Sequence, residues 1–213
     1  MIPARQITSD CRPANQDADV DSTLLHLLTQ RVRVIGDDQF AGISPRTVRS
    51  RMRRLEKQGL LTLRTVMTLP ELPLKDPVFR WMPGDAPPNP ERLAWTLSSR
   101  WTGQPHRVLV ATSTLKARLE LGGCLGGRPL RRTEVTHDLH VTALYLKLCC
   151  EKPEQALLWS HEDANGGARR PGDVVPDAMI GETALEFGGR YRAAKLRLIH
   201  RGHATARRPY ELW

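Results

Sequence analysis

Basic side chains are concentrated in residues 44–64, where six arginines and one lysine stand against a single acidic residue, Glu56. Guanidinium groups donate hydrogen bonds from a fixed plane, and this geometry suits both the phosphates of nucleic acid and the edges of its bases. The formal net charge of the whole chain is +9, so composition favours an acidic polymer as the partner. The chemistry that this segment predicts is binding of double-stranded DNA.

The same segment has the signals of an α-helix between Ser44 and Gly59. Ser44 is a favourable N-cap, and Pro45 after it suits the first helical turn. Gly59 can end the helix in the left-handed conformation. Apolar side chains recur at helical spacing and predict a buried stripe of Val48, Met52 and Leu55. The arginines take the other faces, so the helix would offer a basic side to the major groove.

The polar residues of this segment have expected roles in DNA binding. A phosphate would be held at the helix N-terminus, where free amides attract anions, by Ser44 and Thr47. Base edges would be contacted by Arg46, Arg49 and Ser50. Phosphates would be paired by Arg53, Arg54 and Arg64. An arginine-rich helix can also be a solvated surface helix, but here the cap, the preceding turn and the following strands all agree with DNA recognition.

The flanking segments predict a winged helix-turn-helix domain in residues 20–83. Leucines indicate a first helix over about residues 21–33, and a short second helix is expected near residues 37–41. After the recognition helix, two segments rich in branched and aromatic residues flank a proline-bearing turn at residues 69–77. These two segments are the expected strands of the wing.

The proline-rich stretch at residues 84–92 is the expected linker to a second domain, residues 93–213. The last part of that domain has the pattern of a helix at residues 136–150, three strands, a helix at residues 190–204 and a closing strand. This order predicts a small α/β unit. The fold class predicted for the whole chain is therefore α+β.

Two segments of the second domain, behind an N-terminal winged helix, resemble the replication-relaxation family of plasmids and integrative elements. The first is HDLHVTALYLKL at residues 137–148, followed by a strand near Leu158. The second is VVPDAMI, then ALEFGGRYRAAKL, within residues 174–196. The resemblance covers most of residues 20–213. It implies a DNA-binding protein of a mobile genetic element, with a C-terminal domain similar to the PD-(D/E)xK nuclease fold.

A nuclease of that fold needs two carboxylates to hold a divalent metal and a lysine to position or activate water. The resemblance places the carboxylates at Asp177 and Glu186, but Gly188 occupies the usual position of the lysine. Lys195 on the following helix is the candidate replacement, because helical geometry places it inside an apolar arc. The incomplete motif favours a degenerate domain used for binding or dimerisation. The alternative is a magnesium-dependent nuclease or nickase that uses Asp177, Glu186 and Lys195.

Composition argues against several other classes of protein. The four cysteines include no CxxC pair, and His137 and His140 have no evident third ligand, so no metal site is expected. No cofactor is expected either, apart from magnesium in the nuclease alternative. No apolar run is long enough to span a membrane, and residues 1–19 lack the apolar core of a signal peptide. We therefore expect a flexible leader at residues 1–19 and a cytoplasmic protein associated with the bacterial nucleoid or a plasmid.

These observations predict a sequence-specific DNA-binding protein that regulates transcription or controls the replication or transfer of a mobile element. A homodimer is expected because one recognition helix reads few base pairs. Replication or conjugation proteins are further candidate partners. A third interpretation, an adaptor in a conjugation complex, would require a protein that binds no duplex.

Overall fold

The computed structural model describes residues 18–131, 133–161 and 174–213, and its mixture of helices and sheets confirms the α+β fold class. Most of the predicted leader, residues 1–17, lies outside the described residues. No helix within the described ranges is long and apolar enough to cross a membrane. In chain order, the elements are α1 (Ala18–His26, continued by a π-helical turn at Leu27–Arg31), β1 (Ile35–Gly36), α2 (Pro45–Lys57), β2 (Leu61–Thr68), β3 (Phe79–Trp81), α3 (Pro90–Ser99), β4 (His106–Ser113), α4 (Leu115–Leu121), α5 (Val135–Glu151), α6 (Pro153–Ala156), β5 (Trp159–His161), β6 (Ala178–Ile180), β7 (Thr183–Glu186), α7 (Ala193–Thr205) and β8 (Tyr210–Leu212).

These elements form two compact units. Unit 1 contains the described residues up to Thr68 and those of the segment His106–Pro153, whereas unit 2 contains Leu69–Pro105 and the described residues of Glu154–Trp213. The predicted division at residues 84–92 is therefore corrected, since that stretch leads into α3 within unit 2 and α5 belongs to unit 1. The physical reason is that strand pairing between distant segments, rather than a proline-rich linker, decides which parts of the chain pack together.

Unit 1 contains a three-stranded antiparallel sheet with the strand order β1-β4-β2. Strands β2 and β4 are paired along their whole lengths, from Leu61 opposite Ser113 to Thr68 opposite His106. Strand β1 is short and pairs with the other edge of β4. The branched residues of these strands pack well on a pleated surface. Together with residues of α5 they form a core cluster that consists of Val34, Val108, Val110, Val135 and Leu139.

Two predicted elements of unit 1 are corrected by the structure. The segment just after residue 77, expected to form the second wing strand, forms β3 instead. This strand pairs with β8 and belongs to unit 2. Its expected place beside β2 is taken by β4, so residues 69–105 lie between the two strands of the hairpin. The short helix expected near residues 37–41 is a series of turns. Asp37 is still bound to the sheet there, because its N–H donates to the carbonyl of Leu109 at 3.0 Å.

Unit 2 contains a five-stranded sheet with the strand order β3-β8-β7-β6-β5. Strands β7 and β8 are parallel and are connected through α7, as a parallel pair requires, whereas the other neighbours are antiparallel. The last part of the chain therefore has the predicted order of strands, helix and closing strand. The core of this unit is a cluster of Trp81, Leu93, Leu97, Ala184, Leu196, Tyr210 and Leu212.

We predict that Met52→Ala lowers the free energy of unfolding of unit 1 by about 2–5 kcal/mol, because the Met52 side chain on α2 is fully buried. Urea unfolding followed by far-UV circular dichroism measures this loss. Tryptophan fluorescence reports on unit 2 separately, since all five tryptophans lie in residues 69–105 and 154–213. Lys57→Ala on the exposed side of the same helix is the matched control, expected within about 0.5 kcal/mol of the parent. Equal losses in the two variants would contradict this packing.

Candidate nucleic-acid interface

The N-terminal end of α2 is fixed by a side-chain cap. The Ser44 hydroxyl accepts a hydrogen bond from the Thr47 N–H at 3.2 Å, and the two hydroxyl oxygens lie 2.9 Å apart. Pro45 occupies the first turn, as the sequence predicts. Ser44 and Thr47 are therefore brought together at an exposed helix N-terminus, where the free amides and the helix dipole favour an anion.

One side of α2 is buried and the opposite side is exposed. Val48, Met52 and Leu55 are almost completely buried, which confirms the predicted apolar stripe. At about 100° per residue, the residues directly opposite recur at spacings of four, three and four along the helix. These residues, all exposed, are Arg46, Ser50, Arg53 and Lys57, and we call them the outer stripe.

The three cations of the outer stripe have no ion-pair partner among the residues that the structure describes. Two other arginines of the helix are paired with aspartates, so the contrast lies within a single helix. Lys57 was not among the predicted DNA-binding residues. Its spacing of four after Arg53 and of seven after Ser50 was the signal that could have found it.

The other two predicted arginines of α2 lie on either side of the outer stripe and are paired. The guanidinium Nε of Arg49 contacts Oδ2 of Asp37, the residue that follows β1. The Asp37 side chain is 1% exposed, and that of Arg49 is 50% exposed. On the opposite flank, a terminal nitrogen of Arg54 contacts Oδ2 of Asp21 on α1. The structure therefore uses both arginines to connect α2 with its neighbours in unit 1.

The last predicted DNA-binding residue, Arg64, lies on β2 opposite Val110 of β4. Side chains alternate along a strand, so Arg64 shares its face with Val66, which packs against the core cluster with α5. Arg64 is exposed and lines a shallow pocket of about 230 Å³, together with Arg128 and Thr112. It belongs to the surface of the sheet and not to α2.

Comparison with known proteins does not identify a family for this chain. No protein-family model, curated protein or solved structure matches the chain. The resemblance to the replication-relaxation family stays a prediction. The function must therefore be argued from the residues themselves.

The two predicted carboxylates of unit 2 are brought together across strands β6 and β7. Asp177 immediately precedes β6, and Glu186 ends β7. Oδ2 of Asp177 accepts a hydrogen bond from the N–H of Phe187, the residue after Glu186, at 2.7 Å. Sequence reasoning therefore identified a pair of neighbouring carboxylates, and their surroundings decide what they can do.

A buried histidine on α7 contacts Glu186. The Nε2 atom of His203 on α7 lies 2.8 Å from Oε1 of Glu186, and both side chains are almost fully buried. The Arg208 Nε–H donates to the Nδ1 atom of His203 at 3.0 Å. Because a guanidinium can only donate, Nδ1 is the acceptor and Nε2 carries the proton. His203 therefore donates to Glu186.

Burial and the positive charge of Arg208 lower the pKa of His203 to about 3. The imidazole is consequently neutral near pH 7, and its contact with Glu186 is a hydrogen bond and not an ion pair. The signal in the sequence was weak, since His203 is separated from Glu186 by the loop and most of α7. Only the tertiary packing of α7 on the sheet brings the two together.

The predicted lysine is corrected by the structure. Lys195 is exposed on α7, and its Nζ lies 5.7 Å from the centroid of the Tyr191 ring. It therefore does not lie in the buried arc of the helix, which consists of Leu196, Ile199 and His203. A Cβ atom on Gly188 would come within 2.5 Å of a terminal methyl of the buried Leu97, so a lysine at the usual position would require Leu97 to move.

The carboxylates of Asp177 and Glu186 lie among hydrogen-bonding groups of the protein itself. Asp177 and Glu186 each use an oxygen to accept a hydrogen bond from the protein. Tyr191 stays a neutral phenol beside them, because its burial and both carboxylates raise its pKa. The arrangement is that of a hydrogen-bonded structural centre.

We predict that unit 2 loses stability as the pH falls below about 6.5, the ordinary pKa of histidine, because of His203. Its pKa is lower in the folded than in the unfolded state, so the unfolded chain binds more protons between the two values. One such histidine lowers the free energy of unfolding by up to about 1.4 kcal/mol for each pH unit of acidification. Urea unfolding followed by tryptophan fluorescence at about pH 7 and about pH 5.5 measures the effect.

The control for this prediction is His203→Gln, which keeps a hydrogen-bond donor for Glu186 but does not titrate. The difference in stability between the two pH values should be smaller in this variant than in the parent. A variant with the same pH dependence as the parent would contradict the prediction.

Proposed function

We propose that this chain is a sequence-specific, double-stranded DNA-binding protein of a mobile genetic element. The observation that carries the proposal is the outer stripe of α2, in which Arg46, Arg53 and Lys57 are exposed without acidic partners among the described residues. Exposed arginines without counter-ions are available to release the ions condensed on DNA. The biological role is the regulation of transcription or the control of replication or transfer.

The order of elements in unit 1 supports a winged helix-turn-helix. Within unit 1, helix α1, strand β1, helix α2 and the paired strands β2 and β4 occur in this order, and the three strands form one sheet with the order β1-β4-β2. Turns at residues 37–41 stand in place of the second helix, and residues 69–105 are inserted between β2 and β4. A single α-helix fits the major groove of B-DNA. From Arg46 to Lys57 the outer stripe rises about 16 Å, which corresponds to about five base pairs.

Such a short contact supports the proposal of a homodimer. Two copies of α2 would read two half-sites about one helical turn apart, and the operator would then be roughly two-fold symmetric. Within each half-site, Arg46 and Ser50 would contact base edges, and the capped N-terminus with Ser44 and Thr47 would hold a phosphate. Arg64 on the sheet surface would contact the DNA backbone.

For unit 2 we propose a PD-(D/E)xK-like fold that serves binding or dimerisation. Strands β5, β6 and β7 run antiparallel, and α7 then leads to β8 in parallel beside β7, an order that supports this relationship. The hydrogen bonds of Asp177 and Glu186 and the exposed position of Lys195 argue against the alternative of a nuclease or nickase. The closeness of the two carboxylates is what keeps that alternative worth testing.

We predict that Arg53→Ala weakens binding to a labelled duplex of random sequence. It should also lower the slope of log affinity against log salt concentration by about one, the value of one phosphate contact. Fluorescence anisotropy across a salt series measures both quantities. The matched control is Arg201→Ala on α7, an exposed arginine whose removal changes the net charge equally. Equal effects of the two substitutions would exclude a special role for α2.

We predict that the intact protein leaves supercoiled plasmid unbroken in the presence of magnesium or manganese, while it still shifts the plasmid on a gel. The physical reason is that the two carboxylates already bind groups of the protein itself. Agarose electrophoresis separates supercoiled from nicked circles. Nicking by the parent that disappears in Asp177→Ala would establish the nuclease alternative.

A further inference from the structure

We propose that Arg49 and Arg54 are positioning residues that fix the rotation of α2 about its own axis, and that sequence readout falls to the outer stripe. The part of the inference that concerns base readout rests on the proposed DNA binding. The two ion pairs that support it are present in the protein without DNA. The inference reassigns Arg49, which the sequence alone places at the base edges.

The first pair, Arg49 with Asp37, connects α2 with the sheet of unit 1. Asp37 follows β1, and its backbone N–H is bound to the carbonyl of Leu109 on β4. Its carboxylate is 1% exposed, and so it has little access to water. If Arg49 turned toward DNA, a buried carboxylate would lose its counter-charge, which is a large penalty. Arg49 is therefore retained by the protein while DNA is bound.

The second pair, Arg54 with Asp21, connects α2 with α1. Its aspartate is 13% exposed, and Oδ1 of that carboxylate is buried and has no hydrogen-bond partner among the described residues. Arg54 is accordingly the group that compensates a largely desolvated carboxylate. Removal of the guanidinium would again leave a negative charge in poorly hydrated surroundings.

The two pairs lie on opposite sides of the outer stripe. At about 100° per residue, Arg49 and Arg54 are about 140° apart around the helix, and Ser50 and Lys57 lie between them. One pair resists rotation of α2 in one direction, and the other resists it in the opposite direction. Base readout depends on this rotation, because donors must meet base edges within hydrogen-bonding distance. The ion pairs thereby hold Arg46, Ser50, Arg53 and Lys57 toward the groove.

The test uses the full chain and two readouts. The first is the midpoint of thermal unfolding without DNA, followed by far-UV circular dichroism. The second is the ratio of affinities for a duplex selected by the parent and for a random duplex. Variants are Arg49→Ala, Asp37→Asn and the double variant, with Arg46→Ala as the outer-stripe comparison.

We expect Arg49→Ala to lower the midpoint and the addition of Asp37→Asn to recover most of that loss, since the buried charge is then gone. The affinity ratio of the double variant should fall although the midpoint is recovered, because α2 is then held on one flank only, while the preferred base at each position stays that of the parent. A ratio equal to that of the parent would overturn the positioning role. Arg46→Ala should leave the midpoint unchanged and lower the ratio by about five- to 150-fold, the range for one base contact. Where Arg49→Ala does not fold, Arg54→Ala with Asp21→Asn gives the same comparison on the other flank.

An unchanged midpoint in Arg49→Ala, together with a change in the preferred base at one position, would make Arg49 a base-reading residue and overturn the inference. A midpoint loss that Asp37→Asn does not recover would overturn it as well. Failure of the proposed function is distinguishable, because it would abolish selection of any duplex by the parent while leaving the recovery of the midpoint intact.

Discussion

The pairing of β2 with β4 is the constraint on which the rest of unit 1 depends. These strands are joined residue by residue from Leu61 and Ser113 to Thr68 and His106, although residues 69–105 lie between them in the chain. The pairing places β4 at the centre of the sheet, where it also holds β1. Through β1 it fixes the position of Asp37, and through Asp37 it fixes one flank of α2. The orientation of the proposed DNA-binding helix thus depends on the pairing of two strands that are distant in the chain.

Helix α2 gives two different tasks to its paired arginines and to its outer stripe. Arg49 and Arg54 neutralise aspartates that have little access to water. The outer stripe keeps its cations exposed, and the cap at Ser44 leaves the N-terminal amides toward solvent. Because the paired arginines lie at the sides and the exposed cations of the outer stripe lie between them, a single amphipathic helix can be both firmly packed and electrostatically attractive to a polyanion.

Local signals predicted α2 well, because the N-cap serine, the proline of the first turn, the spacing of the apolar residues and the glycine that ends the helix all lie within residues 44–59. The partner of β2 could not be predicted in this way. Neighbouring strands usually pair, and the nearest candidate after the turn was β3. Nor could the sequence show that Arg49 is paired, because its partner lies in a turn expected to be helical. In unit 2 the carboxylates were found from a motif, but His203 reaches Glu186 only through tertiary packing. Lys195 was misplaced because a helical arc predicted from spacing alone does not tell which side faces the sheet.

The central claim is that the outer stripe of α2 recognises duplex DNA. Its most direct test is selection of duplexes from a random pool by the parent protein and by a variant with Arg46→Ala, Ser50→Ala and Arg53→Ala combined. The account predicts that the parent enriches one common sequence and that the combined variant, folded by circular dichroism, enriches none. Enrichment of the same sequence by both proteins, or of no sequence by the parent, would contradict it.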